Sequence, residues 1–147
     1  MLAKTSGNVV ETARPPVCWP QRIALAALAM FVAVGGVLGG LQMLVDPVHP
    51  MGLSPQLIAA TPYDSYTQPG ILLLILMGAI PLVVAIALLV RAGGAVAGAG
   101  LLGAGLMAWI VVQWAWLAER LWLQPVIFGV GALIFALALL TFRRGAR

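Results

Sequence analysis

Four stretches of this chain, residues 23–45, 70–90, 95–117 and 121–142, each run for 21 to 23 residues without one Asp, Glu, Lys, Arg or His. At 1.5 Å rise per residue such a stretch makes a helix of roughly 31–35 Å, enough to cross a hydrocarbon core of about 30 Å. Inside lipid, only a helix satisfies every backbone N–H and C=O within one segment, so the four runs are expected as transmembrane helices and not strands. Composition agrees: 63% of the 147 residues are hydrophobic and 8% are charged. A soluble domain carries about 25% charged residues, and this chain has too few to cover a water-facing surface. The expected fold is all-α, a polytopic membrane domain over residues 22–142 with four transmembrane helices in an antiparallel bundle.

The charges between the runs set an orientation. Lys4, Arg14 and Arg22 precede the first run, Arg91 sits between the second and third, and Arg143, Arg144 and Arg147 follow the fourth. Only Glu11 opposes them on that side. The other side holds Asp46, Asp64 and Glu119 with the single basic residue Arg120. By the positive-inside rule both termini are expected in the cytoplasm, as a flexible tail over residues 1–21 and a short basic tail over 143–147. No cleaved leader is expected, since the first run is about twice the usual 7–15 residues and lacks an A-x-A site after it. The net charge of +4 does not point to nucleic acid, because the basic groups flank the apolar runs. Cys18 is the only cysteine; it excludes an internal disulfide and is read as a bystander thiol, with acylation beside the membrane as the functional alternative.

Residues 46–69 form the one sizeable segment outside the runs, and five prolines forbid a continuous helix there. Ser54-Pro55 reads as an N-cap with proline in the first turn, and Thr61-Pro62-Tyr63-Asp64 has the same start with a capping acid. The segment is expected as an ordered outer cap, with Tyr63 and Tyr66 at headgroup level.

Lipid tails are as apolar as leucine, so helices in a bilayer associate through close packing of small residues. The first run carries Gly35-x-x-x-Gly39 overlapping Gly36-x-x-x-Gly40, the third Gly94, Gly98 and Gly105, and the fourth Gly131. Gly35, Gly39, Gly94, Gly98, Gly105 and Gly131 are the expected packing positions. Pro81 interrupts the second run and frees the carbonyl of Met77, as a static kink or a hinge.

Polar side chains gather toward the outer side. Gln42, Gln113 and Gln124 lie near the outer ends of their runs, beside Asp46, His49 and Asp64, with Trp109 and Trp116 on the Gln113 face. The remainder of the runs is almost free of polar side chains, so a ligand pocket, if the fold has one, opens outward. Gln113 and Gln124 come from runs joined by a short turn and are expected at similar depth, where the two amides can meet. Against this stands the plainer reading of interfacial anchoring.

Several short motifs, Asp46-Pro47, Gly52, Thr61-Pro62-Tyr63, Tyr66, Pro69-Gly70, Trp109-Ile110 with Gln113, and Leu123-Gln124-Pro125, together resemble a group of small bacterial four-helix integral membrane proteins. The resemblance covers residues 23–142. It implies the four-span topology and the bacterial plasma (inner) membrane, and it implies no activity. In that pattern the acid directly precedes the tyrosine; here Ser65 separates Asp64 from Tyr66, which weakens a catalytic reading of Asp64.

Three functions fit these residues. The first is an accessory or scaffold subunit that binds a membrane-protein partner, or a second copy of itself, through the glycine faces. Spans without ionisable residues argue against ion or proton transport. The alternative is a small-ligand protein that holds a lipid or quinone in the outer pocket of Gln42, Asp46, His49, Asp64, Trp109, Gln113, Trp116 and Gln124. The third is an outer-face enzyme built on Asp46, His49 and Asp64. No H-E-x-x-H, cysteine pair or P-loop lysine is present, so no enzyme, metal site or resident cofactor is expected. The bilayer itself is the one partner every reading shares.

Overall fold

The computed structural model describes residues 19–59, 61–116 and 121–145; Cys18 with the N-terminal tail, and Glu119 with Arg120, lie outside the described residues. Four long helices dominate: α1 (Trp19–Val45), α2 (Thr67–Leu89), α3 (Ala95–Trp116) and α4 (Leu123–Gly145). Each is long and apolar enough to cross a membrane, with mean hydropathy from 2.0 to 3.0 over its most apolar window. That is the pattern of a multi-pass membrane protein.

Three helix starts differ from the sequence expectation. α1 begins at Trp19 instead of residue 23, α2 at Thr67 instead of 70, and α4 at Leu123 instead of 121. Pro20, Pro69 and Pro125 each fall in a first turn, where the missing N–H has no intrahelical acceptor to lose.

Inside α2 the proline matters. Residues Leu74–Ala79 form a π-helical turn, closed by the Ile80 N–H donating to the Ile75 carbonyl. The wider turn absorbs one extra residue just before Pro81, which has no N–H for the Met77 carbonyl. Gly36 of α1 lies directly on this break. A Cβ there would collide with the Met77 carbonyl carbon and oxygen and lie 2.7 Å from the Gly78 nitrogen. The contact continues one turn on, where a Cβ on Gly40 would stand 2.5 Å from Leu74 Cγ and 2.9 Å from the Gly70 oxygen. α1 and α2 thus touch backbone to backbone.

α3 and α4 make a second tight pair. A Cβ on Gly103 would lie 2.6 Å from the Gly131 oxygen, and one on Gly131 would lie 3.0 Å from the Gly103 oxygen. Trp114 and Phe128 stack nearby, with ring centroids 5.7 Å apart.

The two pairs share one buried core. Leu25, Ala29 and Val32 of α1 meet Ala85 and Leu88 of α2, Ala99 and Leu102 of α3, and Ile134 and Ala138 of α4. Most of these residues lie toward the end that carries Trp19, Arg91 and Arg143, called here the arginine end. The opposite end, which carries residues 46–66, is the loop end. At the arginine end α2 stops in a Schellman turn: the Ala92 N–H donates to the Ala87 carbonyl at 2.9 Å and the Arg91 N–H to Leu88 at 3.3 Å. Arg91 fills the left-handed position of that turn at φ 56, and Gly94, at φ 81, leads into α3.

The loop of residues 46–66 is held by its own polar groups. Asp46 accepts from the Val48 and His49 backbone N–H groups at 3.2 and 2.9 Å. Short 3-10 turns follow at Pro50–Gly52 and Pro55–Ile58. Ser54 Oγ accepts from the Gln56 N–H, as the Ser54-Pro55 pair predicts. Thr61-Pro62 opens no helix: Thr61 Oγ1 donates to the Ile58 carbonyl at 2.7 Å and so ends the second turn. Tyr66 is buried within the fold. Its hydroxyl donates to the Ser54 carbonyl at 2.7 Å and its N–H to the Pro47 carbonyl at 3.0 Å, which ties both ends of the loop together.

Candidate functional site

A cleft with room for a ligand, about 590 Å³ in volume, lies between α2 and α3. It arises because the shared core draws the helices together at the arginine end, while nothing fills the space farther along. Leu76, Met77, Ile80 and Val84 form one wall, and Gly98, Leu101, Gly105, Trp109 and Val112 belong to the other. Gly98 and Gly105 admit no close approach of another helix of this chain. A Cβ on Gly98 would reach only Val84, at 3.9 Å, and one on Gly105 would meet nothing within 4 Å. Two turns apart on α3, they lower the cleft floor. The same π-helical residues that receive Gly36 on one side supply Leu76 and Met77 to the cleft on the other.

Trp109 lines the cleft and is partly buried against the core, and its Nε1 is buried without a hydrogen-bond partner. Gln124, 3% exposed, has both Oε1 and Nε2 buried and unpartnered. The expected meeting of the Gln113 and Gln124 amides therefore does not form, although Gln113 is half-buried on the adjoining helix. Neither Gln124 amide atom reaches an acceptor or donor.

The remaining expected pocket residues do not converge on it. Asp46 and His49 lie in the loop, the first capping it and the second exposed; Asp64 is exposed, and Gln42 lies on an exposed face of α1. The Trp116 side chain lies outside the described ones. The backbone N–H of His49 holds the Asp46 carboxyl below the ordinary carboxylate value; desolvation opposes it, and the Val48 N–H adds to the lowering. Burial pushes the Tyr66 hydroxyl up. Among the described residues no three metal-ligating side chains gather.

Among the glycines expected to pack, Gly39 stands 3.0 Å (as a built Cβ) from Leu73 and Gly131 is tightly met, whereas Gly35 faces open space and Gly94 sits in the turn. The closest approaches on α1 and α3 belong to Gly36, Gly40 and Gly103. The sequence contains the signal for the cleft in Gly98 and Gly105, but a small residue reads identically whether it admits a neighbouring helix or leaves a void.

Compared with protein families, curated proteins and solved structures, the chain matches none.

Proposed function

We propose that this chain is a lipid-binding protein of the bacterial plasma membrane, an antiparallel four-helix bundle that holds one apolar chain, of a phospholipid or an isoprenoid quinone, in the cleft between α2 and α3. Both termini are cytoplasmic in this reading, by the arginine distribution, and residues 46–69 cap the outer face. The observation that carries it is the cleft itself, an open apolar groove walled by Leu76, Ile80 and Val84 on one side and by Leu101, Gly105 and Val112 on the other.

From Gly98 to Val112 the cleft follows about 21 Å of α3 at 1.5 Å per residue, and that length with its apolar lining suits a single hydrocarbon or isoprenoid chain. The accessory-subunit reading has less support, because the tightest glycines, Gly36, Gly40, Gly103 and Gly131, face other helices of the same chain.

Gly105→Leu tests the reading. Its Cβ meets no atom within 4 Å, so the variant is expected to melt at or slightly above the wild-type temperature, leucine being the better helix former by about 0.8–1 kcal/mol. Mass spectrometry of the purified protein is expected to find a bound lipid or quinone with the wild type and much less with Gly105→Leu. Equal lipid content in the two, or a stoichiometric protein partner in its place, would overturn the proposal.

A further inference from the structure

The arginine end gathers positive charge with no carboxylate beside it among the described residues. Arg22, Arg91 and Arg143 lie there, whereas the described acids, Asp46 and Asp64, belong to the loop end. Arg143 is simply exposed. The other two are placed in ways that ask for an explanation.

Arg22 has its Nη1 buried with no hydrogen-bond partner. A guanidinium keeps its proton under all ordinary conditions, so a buried N–H of this kind is satisfied by an acceptor oxygen or remains a standing cost. Arg91 sits in the left-handed position of the Schellman turn, at φ 56. That position favours glycine, and a side chain there strains the backbone. Glycine occurs at 93 and 94 in the same connection, yet the left-handed position carries arginine. Strain held in this way points to a role for the side chain. The Arg91 guanidinium carbon stands 4.5 Å from the centroid of the Trp19 ring, a cation–π stack. Trp19 and Arg22 are three residues apart on α1, so they share a face. The stack therefore carries the Arg91 head onto the patch from which Arg22 projects. Gln21 and Thr141, in contact at 3.5 Å, join α4 to the same end.

We propose that Arg22 and Arg91, with Trp19 as their platform, bind the phosphate headgroup of an anionic phospholipid. A planar guanidinium offers paired N–H donors at the spacing of two phosphate oxygens. A phosphate diester offers acceptor oxygens to both guanidinium groups and a negative charge that this end lacks among the described residues. Tryptophan at the end of a membrane helix lies at headgroup depth, and basic pockets between helices at that depth are where anionic lipids dock. The site is separate from the cleft and stands without the lipid-chain reading. Free phosphate shares the same chemistry, and the experiment separates the two sources.

The full-length protein in neutral detergent is titrated with phosphatidylglycerol, phosphatidylcholine or inorganic phosphate while its melting temperature is followed, since a ligand that binds the folded state raises it. Phosphatidylglycerol is expected to raise it saturably and further than phosphatidylcholine, which offers only its acyl chains, and inorganic phosphate is expected to do nothing. Arg91→Gly relieves the backbone strain, so it is expected to melt no lower than wild type without added lipid, yet to need about tenfold more phosphatidylglycerol for half the rise, the loss of one charge-assisted contact. Arg22→Gln is expected to show the same weakening, and Arg143→Gln to respond as wild type. Should Arg22→Gln fail to fold, Arg91→Gly decides alone. Three results overturn the proposal: an equal response to phosphatidylcholine, an equal response to inorganic phosphate, or an equal loss with Arg143→Gln, which would reduce the effect to diffuse charge.

Discussion

Gly35 and Gly36 are adjacent on α1 and have opposite surroundings. Gly35 faces open space, while Gly36 rests on the Met77 backbone at the π-turn. Gly36→Ala must therefore push α1 off α2, where the neighbour is backbone and not a side chain that can swing away. Its expected cost is about 1–3 kcal/mol or more, the range for overpacking a tight interface. Gly35→Ala is expected to be neutral or to gain up to about 1 kcal/mol from helix propensity. Thermal unfolding in detergent compares them, and equal tolerance would mean that the α1–α2 contact is not the one described. Gln124 is a second test at this scale. With Oε1 and Nε2 both buried and unpartnered, its amide contributes only its desolvation cost. Gln124→Leu is expected to stabilise the protein by about 1–3 kcal/mol. A fall in stability would show that the amide has a partner, such as Gln113 or a bound ligand.

At the scale of elements, the loop of residues 46–66 depends on one carboxylate. The His49 and Val48 N–H groups lower the Asp46 pKa from its ordinary 3.8. A group depressed in the folded state stabilises fully above its unfolded pKa, near 3.9, and that contribution is lost as pH falls through the lower folded value. Hydrogen exchange at the Val48 and His49 amides is expected to stay slow from about pH 7 to pH 5, once intrinsic rates are allowed for, and to lose protection below about pH 4. Asp46→Ala is expected to abolish that protection at every pH, and protection unchanged in the variant would remove the capping role. The helices themselves were legible because their signal is long and uncharged, and Ser54-Pro55 was legible because a cap and a proline are local chemistry. The starts of α1 and α2 were misplaced because proline, a breaker inside a helix, is harmless in its first turn at Pro20 and Pro69. The hydrogen bonds of Tyr66 have no signal in the sequence, because its partners, the Ser54 and Pro47 carbonyls, are backbone groups whose position only the folded loop defines. The overlapping motifs at Gly35–Gly39 and Gly36–Gly40 could not be ranked from spacing, since the deciding contact is the π-turn on α2.

For the whole molecule, two tightly joined helix pairs, α1 with α2 and α3 with α4, share a core toward the arginine end and leave a cleft between α2 and α3. The asymmetry is physical. Ala85, Ala95, Ala99 and Ala138 are small and buried, and they let four helices approach there. Along the cleft the bulky α2 residues Leu76 and Ile80 face an α3 wall lowered by Gly98 and Gly105. A loosely joined interface of this kind is what a ligand can enter without disturbing the rest of the fold, and the central claim is that an apolar chain does so. The most direct measurement reconstitutes the full-length protein in vesicles containing a phospholipid with a photoreactive group partway along one acyl chain. Irradiation is followed by peptide mapping of the adducts. The account predicts adducts concentrated on Leu76, Ile80, Leu101 and Val112, at several times the yield on Val34, Leu38 and Leu133, which are exposed apolar residues outside the cleft. Equal labelling of both sets would mean that the cleft holds lipid no differently from any other part of the protein's surface, and would contradict it.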